Sequence, residues 1–169
     1  MLKKNQKKGF TLIELMLYVG IISTVVFISS VFLIMLLQSR EKNQTISEIE
    51  ENGVQIMETI TQTIRNSEGI NSPSSGSSSG SLSLGMTDGS KDPTIFDLSG
   101  STIRITEGSG SSVPLSSSRV ELTGLSFKNL SRPNTPGNIT VQFTMTHFNP
   151  GSRNEFEWSK TFYGSASLR

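Results

Sequence analysis

Cysteine is absent from all 169 residues, which excludes disulfides, thiolate metal sites and cysteine nucleophiles. Histidine occurs once, at His147. It continues the apolar face of Ile139–Met145, where a core or sheet-edge role outweighs that of a general base, which would need a positioned nucleophile or an orienting carboxylate. The many serines include no G-x-S-x-G elbow, and no glycine-rich phosphate loop is present. No catalytic residue is therefore assigned, no cofactor is expected, and any ATP must be hydrolysed by other components. Proline is missing from Phe10 to Ile70, and charge is missing from Leu15 to Leu37.

The formal net charge of +1 conceals an asymmetry, because Lys3, Lys4, Lys7 and Lys8 all precede Phe10. Without residues 1–9 the chain has 11 basic and 14 acidic residues, a balance of −3. No basic stripe marks that remainder, so the sequence gives nucleic-acid binding no support. The length suffices for one modest domain plus an anchor.

Residues 15–37, LMLYVGIISTVVFISSVFLIMLL, run for 23 positions without a charge. That exceeds the roughly 20 residues needed to span a bilayer. Lysines crowd the N-terminal side, and Arg40 and Lys42 beyond the run are offset by Glu41. The positive-inside rule then predicts a single-pass protein with residues 1–9 in the cytoplasm and the C-terminal part outside. A secretory signal peptide fits poorly. Its apolar core spans about 7–15 residues and is followed by a small-x-small cleavage site, whereas here the run is longer and the small residue, Gly9, comes first. Cleavage at Gly9 would keep the apolar helix on the mature protein.

Glu14 lies four residues after Phe10, at the edge of the apolar run. An ionised group in hydrocarbon costs about 2.5–3.5 kcal/mol on insertion scales, so Glu14 either snorkels to the headgroups or has a partner. Gly9-Phe10-Thr11-Leu12-Ile13-Glu14 after the lysines resembles the signature of type IV pilins, pseudopilins and their Gram-positive competence relatives. The resemblance covers residues 3–37, with leader charge, Gly, Phe, Glu and apolar run in register. It implies that a membrane aspartic prepilin peptidase cuts between Gly9 and Phe10 and that Phe10 is N-methylated. The new amine at Phe10 would be a cation that Glu14 of the same or a neighbouring subunit can pair with, since either charge alone in low dielectric is penalised. Glu14 would then set the axial register of assembly. The family's major pilins often carry a helix-bending proline that this chain lacks, which points to a minor subunit. Gly20 and the Ser29-Ser30 pair are the only weak points in the apolar run, and glycine costs about 1 kcal/mol in a helix against roughly 3 for proline.

Past the anchor, Ile46, Ile49, Met57, Ile60 and Ile64 recur at a 3–4 spacing, with Ile56 beside them and Gly53 in the gap. Glu48, Glu50, Glu51, Glu58 and Arg65 supply a solvated face. One helix from about Phe10 to Ser67, roughly 85 Å at 1.5 Å per residue, is the expectation, stopping at Asn66-Ser67-Glu68-Gly69. Residues 10–37 form its transmembrane and filament-core part and residues 38–68 its amphipathic continuation. Ser72–Ser81 reads as a flexible Gly/Ser loop. Beyond it the period changes to two: Ile103 and Ile105; Val120 and Leu122, continued by Leu125 and Phe127 after Gly124; Ile139, Val141, Phe143 and Met145; Phe156, Trp158 and Phe162. Asn149-Pro150-Gly151-Ser152 marks a turn. The fold class is α+β, a long helix packed on an antiparallel β-rich head at residues 69–169. This layout is similar to the J-type minor pseudopilins of type II secretion systems and to W-type minor pilins.

Asp88, Asp92 and Asp97 are the carboxylates a calcium site would use, but their spacing is not that of an EF-hand, Lys91 intervenes, and Asp-Gly and Asp-Pro form ordinary turns. No metal is assigned. The leading function is a structural subunit of a type IV pilus, type II secretion pseudopilus or competence pilus. Its partners would be prepilin peptidase, other subunits through the N-terminal helix, the membrane, and an assembly ATPase indirectly. Two alternatives are a tip module that binds DNA, an exported substrate or a surface ligand through Lys128, Arg132, Arg153 and Lys160, and a membrane-anchored protein unrelated to filaments.

Overall fold

The computed structural model describes residues 9–133 and 135–169; the four leader lysines lie outside the described residues. With no proline to interrupt it, helix α1 runs unbroken over Leu12–Arg65, 54 residues. Gly20 and the two serines are absorbed without a break, in keeping with their small helix penalties. The chain divides into two compact units, one up to Arg40 and one over Glu41–Arg169.

In the second unit the helix lays one stripe on strands. The buried positions are Thr45, Ile49, Gly53, Ile56, Ile60 and Ile64, spaced four, four, three, four and four, as one face of a 3.6-residue period requires. This corrects the expected stripe. Ile56 lies at its centre, while Ile46 and Met57 are only half-buried. The shift has a cause in Gly53, over which the Phe162 ring sits where a Cβ would be. A glycine in the stripe lets strand and helix approach closely.

Among the described residues nine strands follow: β1 (Gly69–Ser72), β2 (Ser78–Ser79), β3 (Leu82–Gly85), β4 (Thr94–Ser99), β5 (Thr102–Glu107), β6 (Val113–Pro114), β7 (Val120–Asn129), β8 (Asn138–His147) and β9 (Ser159–Ser167). They form two antiparallel sheets, ordered β1-β3-β4-β5-β6 and β2-β7-β8-β9. One core joins the helix isoleucines to Leu82, Leu84, Phe96 and Ile103 of the first sheet and to Leu122, Phe127, Ile139, Val141, Phe143 and Met145 of the second. The fold is α+β, as the change of period predicts.

In β7 a bulge between Thr123 and Ser126 shifts the register against β8. Gly124, at φ +63°, supplies the left-handed residue, and the extra residue returns Leu125 and Phe127 to the face that buries Val120 and Leu122. The Gly/Ser stretch is not a free loop. Ser78 and Ser79 pair with Lys128 and Phe127 as β2, Gly76 N–H donates to Asn129 O at 2.8 Å, and the buried Asn129 amide donates to Pro73 O at 2.8 Å. Small side chains let this segment lie flat beside β7. The expected Phe156-Trp158-Phe162 alternation also fails, because β9 begins only at Ser159 and Phe156 closes a 3-10 turn over Asn154–Phe156. There the Asn149 side chain bridges both Arg153 N–H and Arg153 O at 2.9 Å, and Phe156 stacks on His147 with ring centroids 5.0 Å apart. Those contacts hold it off the strand.

Candidate functional site

The residues singled out at the N-terminus meet at the start of α1. Thr11 is the helix cap: its carbonyl accepts from Leu15 N–H at 3.2 Å, and its hydroxyl accepts from Glu14 N–H at 3.3 Å. This is half of the Thr-x-x-Glu capping box, which satisfies donors a helix start leaves open. Thr11 was missed as a site residue, although T-x-x-E before an apolar run is its sequence signal. Glu14 falls in the first turn, where a carboxylate also complements the positive end of the helix dipole. Gly9 and Phe10 precede the helix and are exposed, Phe10 at 71%, and the Phe10 ring lies 5.8 Å from that of Tyr18. The Gly9–Phe10 bond is thus non-helical, accessible backbone, the form a peptidase can bind. Lys3, Lys4, Lys7 and Lys8 lie outside the described residues.

From Leu12 onward the helix is long and apolar enough to cross a membrane, and its apolar window is not buried by the protein. Three of its hydroxyls are bonded within the helix itself. Ser23 donates to Val19 O at 2.8 Å, Thr24 to Gly20 O at 2.9 Å and Ser30 to Val26 O at 2.8 Å. Hydrocarbon can solvate no polar group, so such internal bonds are what a lipid-facing helix requires.

In the head the charged residues bind one another rather than gather into one site. Arg153 reaches Glu41 at 3.0 Å and lies 4.9 Å from the Phe156 ring, and Lys160 pairs with Glu50. Arg119 reaches Glu48 at 3.3 Å. Lys160 of β9 and two basic residues of the connecting segments, Arg119 and Arg153, therefore clasp three helix glutamates, a belt that periodicity alone could not reveal. Lys128 and Arg132 stand exposed on β7 and after it, so of the four basic residues considered for a binding head Arg153 and Lys160 are engaged by helix glutamates. His147 has a side chain only 7% exposed, and its Nε2 is 3.8 Å from Glu48 Oε2.

Nor do the three aspartates share a site. Asp88 accepts from Ser90 N–H at 2.9 Å and Ser90 Oγ at 2.7 Å, which lowers its pKa below the usual carboxylate value. Asp92 accepts from Met86 N–H at 3.1 Å. Asp97 forms a two-pronged pair with Arg104, at 3.0 and 2.6 Å, and this bonding raises the arginine pKa. Each carboxylate serves its own turn or strand pair.

Residues 4–30 match the family model described as the prokaryotic N-terminal methylation motif. No curated protein and no solved structure matches the chain.

Proposed function

The chain carries the N-terminal methylation motif of type IV pilin-like proteins, and from that premise we propose that it is a minor structural subunit of a type IV pilus, type II secretion pseudopilus or competence pilus. Prepilin peptidase cuts between Gly9 and Phe10 and methylates the new Phe10 amine. Residues 1–9 lie in the cytoplasm, α1 crosses the membrane once and the head lies outside. The observation that carries this reading is the arrangement at the helix tip. An exposed, non-helical Gly9–Phe10 bond stands directly before a capped helix whose first turn holds Glu14.

After cleavage, Glu14 pairs with the Phe10 amine of a neighbouring subunit and sets the axial register. The uncovered apolar surface of α1 exchanges lipid for neighbouring helices as subunits leave the membrane, so an all-round apolar helix is soluble in both settings. The unbroken, proline-free α1 supports the minor role. Mass spectrometry of the chain expressed with a prepilin peptidase should find an N-terminus at N-methylated Phe10, and an intact Met1 or a cut after residue 37 would overturn the reading. Glu14→Val should leave that cleavage intact and abolish incorporation into filaments.

A further inference from the structure

Among the described residues β9 is an edge with only β8 beside it, and it carries few of the devices that usually blunt an edge. It has nine residues and no proline, pairs with β8 at nine consecutive positions without a bulge, and its one charge, Lys160, is bound to Glu50. The other edges are short or irregular: β2 and β6 have two residues each, and β1 has four with a register shift. Along β9, Tyr163 is 69% exposed, and a mostly apolar notch lined by Val54, Met57, Phe162 and Tyr163, with Glu58 and Thr61, opens beside it.

We propose that β9 is a docking edge for a second copy of this chain, the two strands running antiparallel about a two-fold axis at Tyr163. The sequence SKTFYGSAS is self-complementary in that arrangement. Ser159 falls opposite Ser167 of the copy, Lys160 opposite Ala166, Thr161 opposite Ser165, Phe162 opposite Gly164, and Tyr163 opposite its own copy. Hydroxyl faces hydroxyl, a large ring faces glycine, two exposed tyrosines meet, and no like charges are opposed, all favourable cross-strand pairs. A parallel in-register pairing would set Lys160 on Lys160 and Phe162 on Phe162. Sliding the antiparallel pair by two residues sets Phe162 or Gly164 on its own copy instead. Such an isologous contact joins two chains and closes, unlike the open stacking of helices in a filament.

The absence of cysteine makes the register testable in the full chain. Opposite Cα atoms in an antiparallel pair lie about 4.5–5.5 Å apart, inside the roughly 4.4–6.8 Å window of a disulfide. Under mild oxidation in membranes, Tyr163→Cys should cross-link to its own copy. Chains carrying Thr161→Cys mixed with chains carrying Ser165→Cys should give a mixed dimer, and each alone should lose the cross-link. Adding Tyr163→Lys to both partners should abolish the mixed dimer by opposing two lysines. Equal yields at the remote, exposed Val113→Cys, self-linking of Thr161→Cys, or capture of Tyr163→Cys only by a different protein would each overturn the proposal. Association through the membrane helix brings heads together without this register dependence, so the result stands apart from the filament reading.

Discussion

Ile22 and Ile60 are the same residue type in the same helix, yet the first is 61% exposed and the second fully buried. Helix formation therefore does not distinguish the two halves of α1; what covers them does. Around Ile22 every face is apolar, and the hydroxyls of Ser23, Thr24 and Ser30 are bonded within the helix. Around Ile60 the apolar residues narrow to one stripe, and the other faces carry glutamates, three of them held by basic residues of the head. The lesson is that a continuous helix carries two solvents' worth of patterning, all-round for lipid or neighbouring helices and one-sided for a protein core.

The largest test of that contrast is the same truncation in each half. Ile60→Ala should destabilise the head by about 2–5 kcal/mol, the range for a buried isoleucine truncated in a packed core. Ile22→Ala should change head unfolding by less than about 0.5 kcal/mol, as for surface substitutions. Urea unfolding of the full chain in detergent, followed by Trp158 fluorescence, reads both. Equal effects would mean that the two halves are not separately covered.

Glycine sharpens the comparison further. Gly53→Ala puts a methyl where the Phe162 ring sits and should cost about 1–3 kcal/mol through overpacking. Gly20 has nothing within 4 Å of a built Cβ. There alanine should leave head unfolding unchanged and firm the helix by about 0.5–1 kcal/mol, read as slower amide exchange around residue 20.

Much of this was legible because it is local. The GFTLIE tip, the uncharged run and the alternation of Ile139, Val141, Phe143 and Met145 each need only neighbours in sequence to be seen, and the last four are buried together. The continuation of the β7 face past Gly124 was also visible, and the bulge supplies its mechanism. What escaped depends on distant partners. Gly53 has no side chain to register in a hydrophobic count, so the stripe was drawn through Met57 instead of Ile56. Glu48 meets Arg119 and His147, and Glu50 meets Lys160, through contacts that no period encodes. The Gly/Ser segment looked featureless because its order comes from the backbone of β7 and the amide of Asn129.

The belt of ion pairs sets the third test. Glu48 is 18% exposed and touches both Arg119 and His147, whereas Glu41 is 47% exposed beside Arg153. Glu48→Gln should cost about 1–3 kcal/mol, the penalty for removing a charged partner from a mostly covered site. Glu41→Gln should cost about 0–1 kcal/mol, the range for exposed pairs, and its effect should vanish in high salt. Urea midpoints at low and high salt compare the two, and a larger loss at Glu41 would invert the assignment of which contact anchors the helix.

The smallest expected effect lies in the exposed turn at Asp88. Its carboxylate accepts from the Ser90 hydroxyl and the Ser90 N–H, and the first of these is the larger cause of its lowered pKa. A carboxylate whose folded pKa lies below the unfolded one contributes stability that is fully present above the unfolded value and is lost as pH falls through the folded value. The window is therefore the acid limb below the usual aspartate pKa near 3.8. Asp88→Asn keeps an acceptor oxygen for Ser90 but cannot titrate, so it should flatten that limb slightly while leaving the unfolding midpoint at neutral pH nearly unchanged. Because the group is fully exposed, water competes for the same bonds and the change should be minor beside that of Ile60→Ala. Urea midpoints measured from pH 6 down to the acid limit, wild type against Asp88→Asn, test the sign: a steeper acid loss in the variant would show that the Ser90 bonds do not favour the charged form.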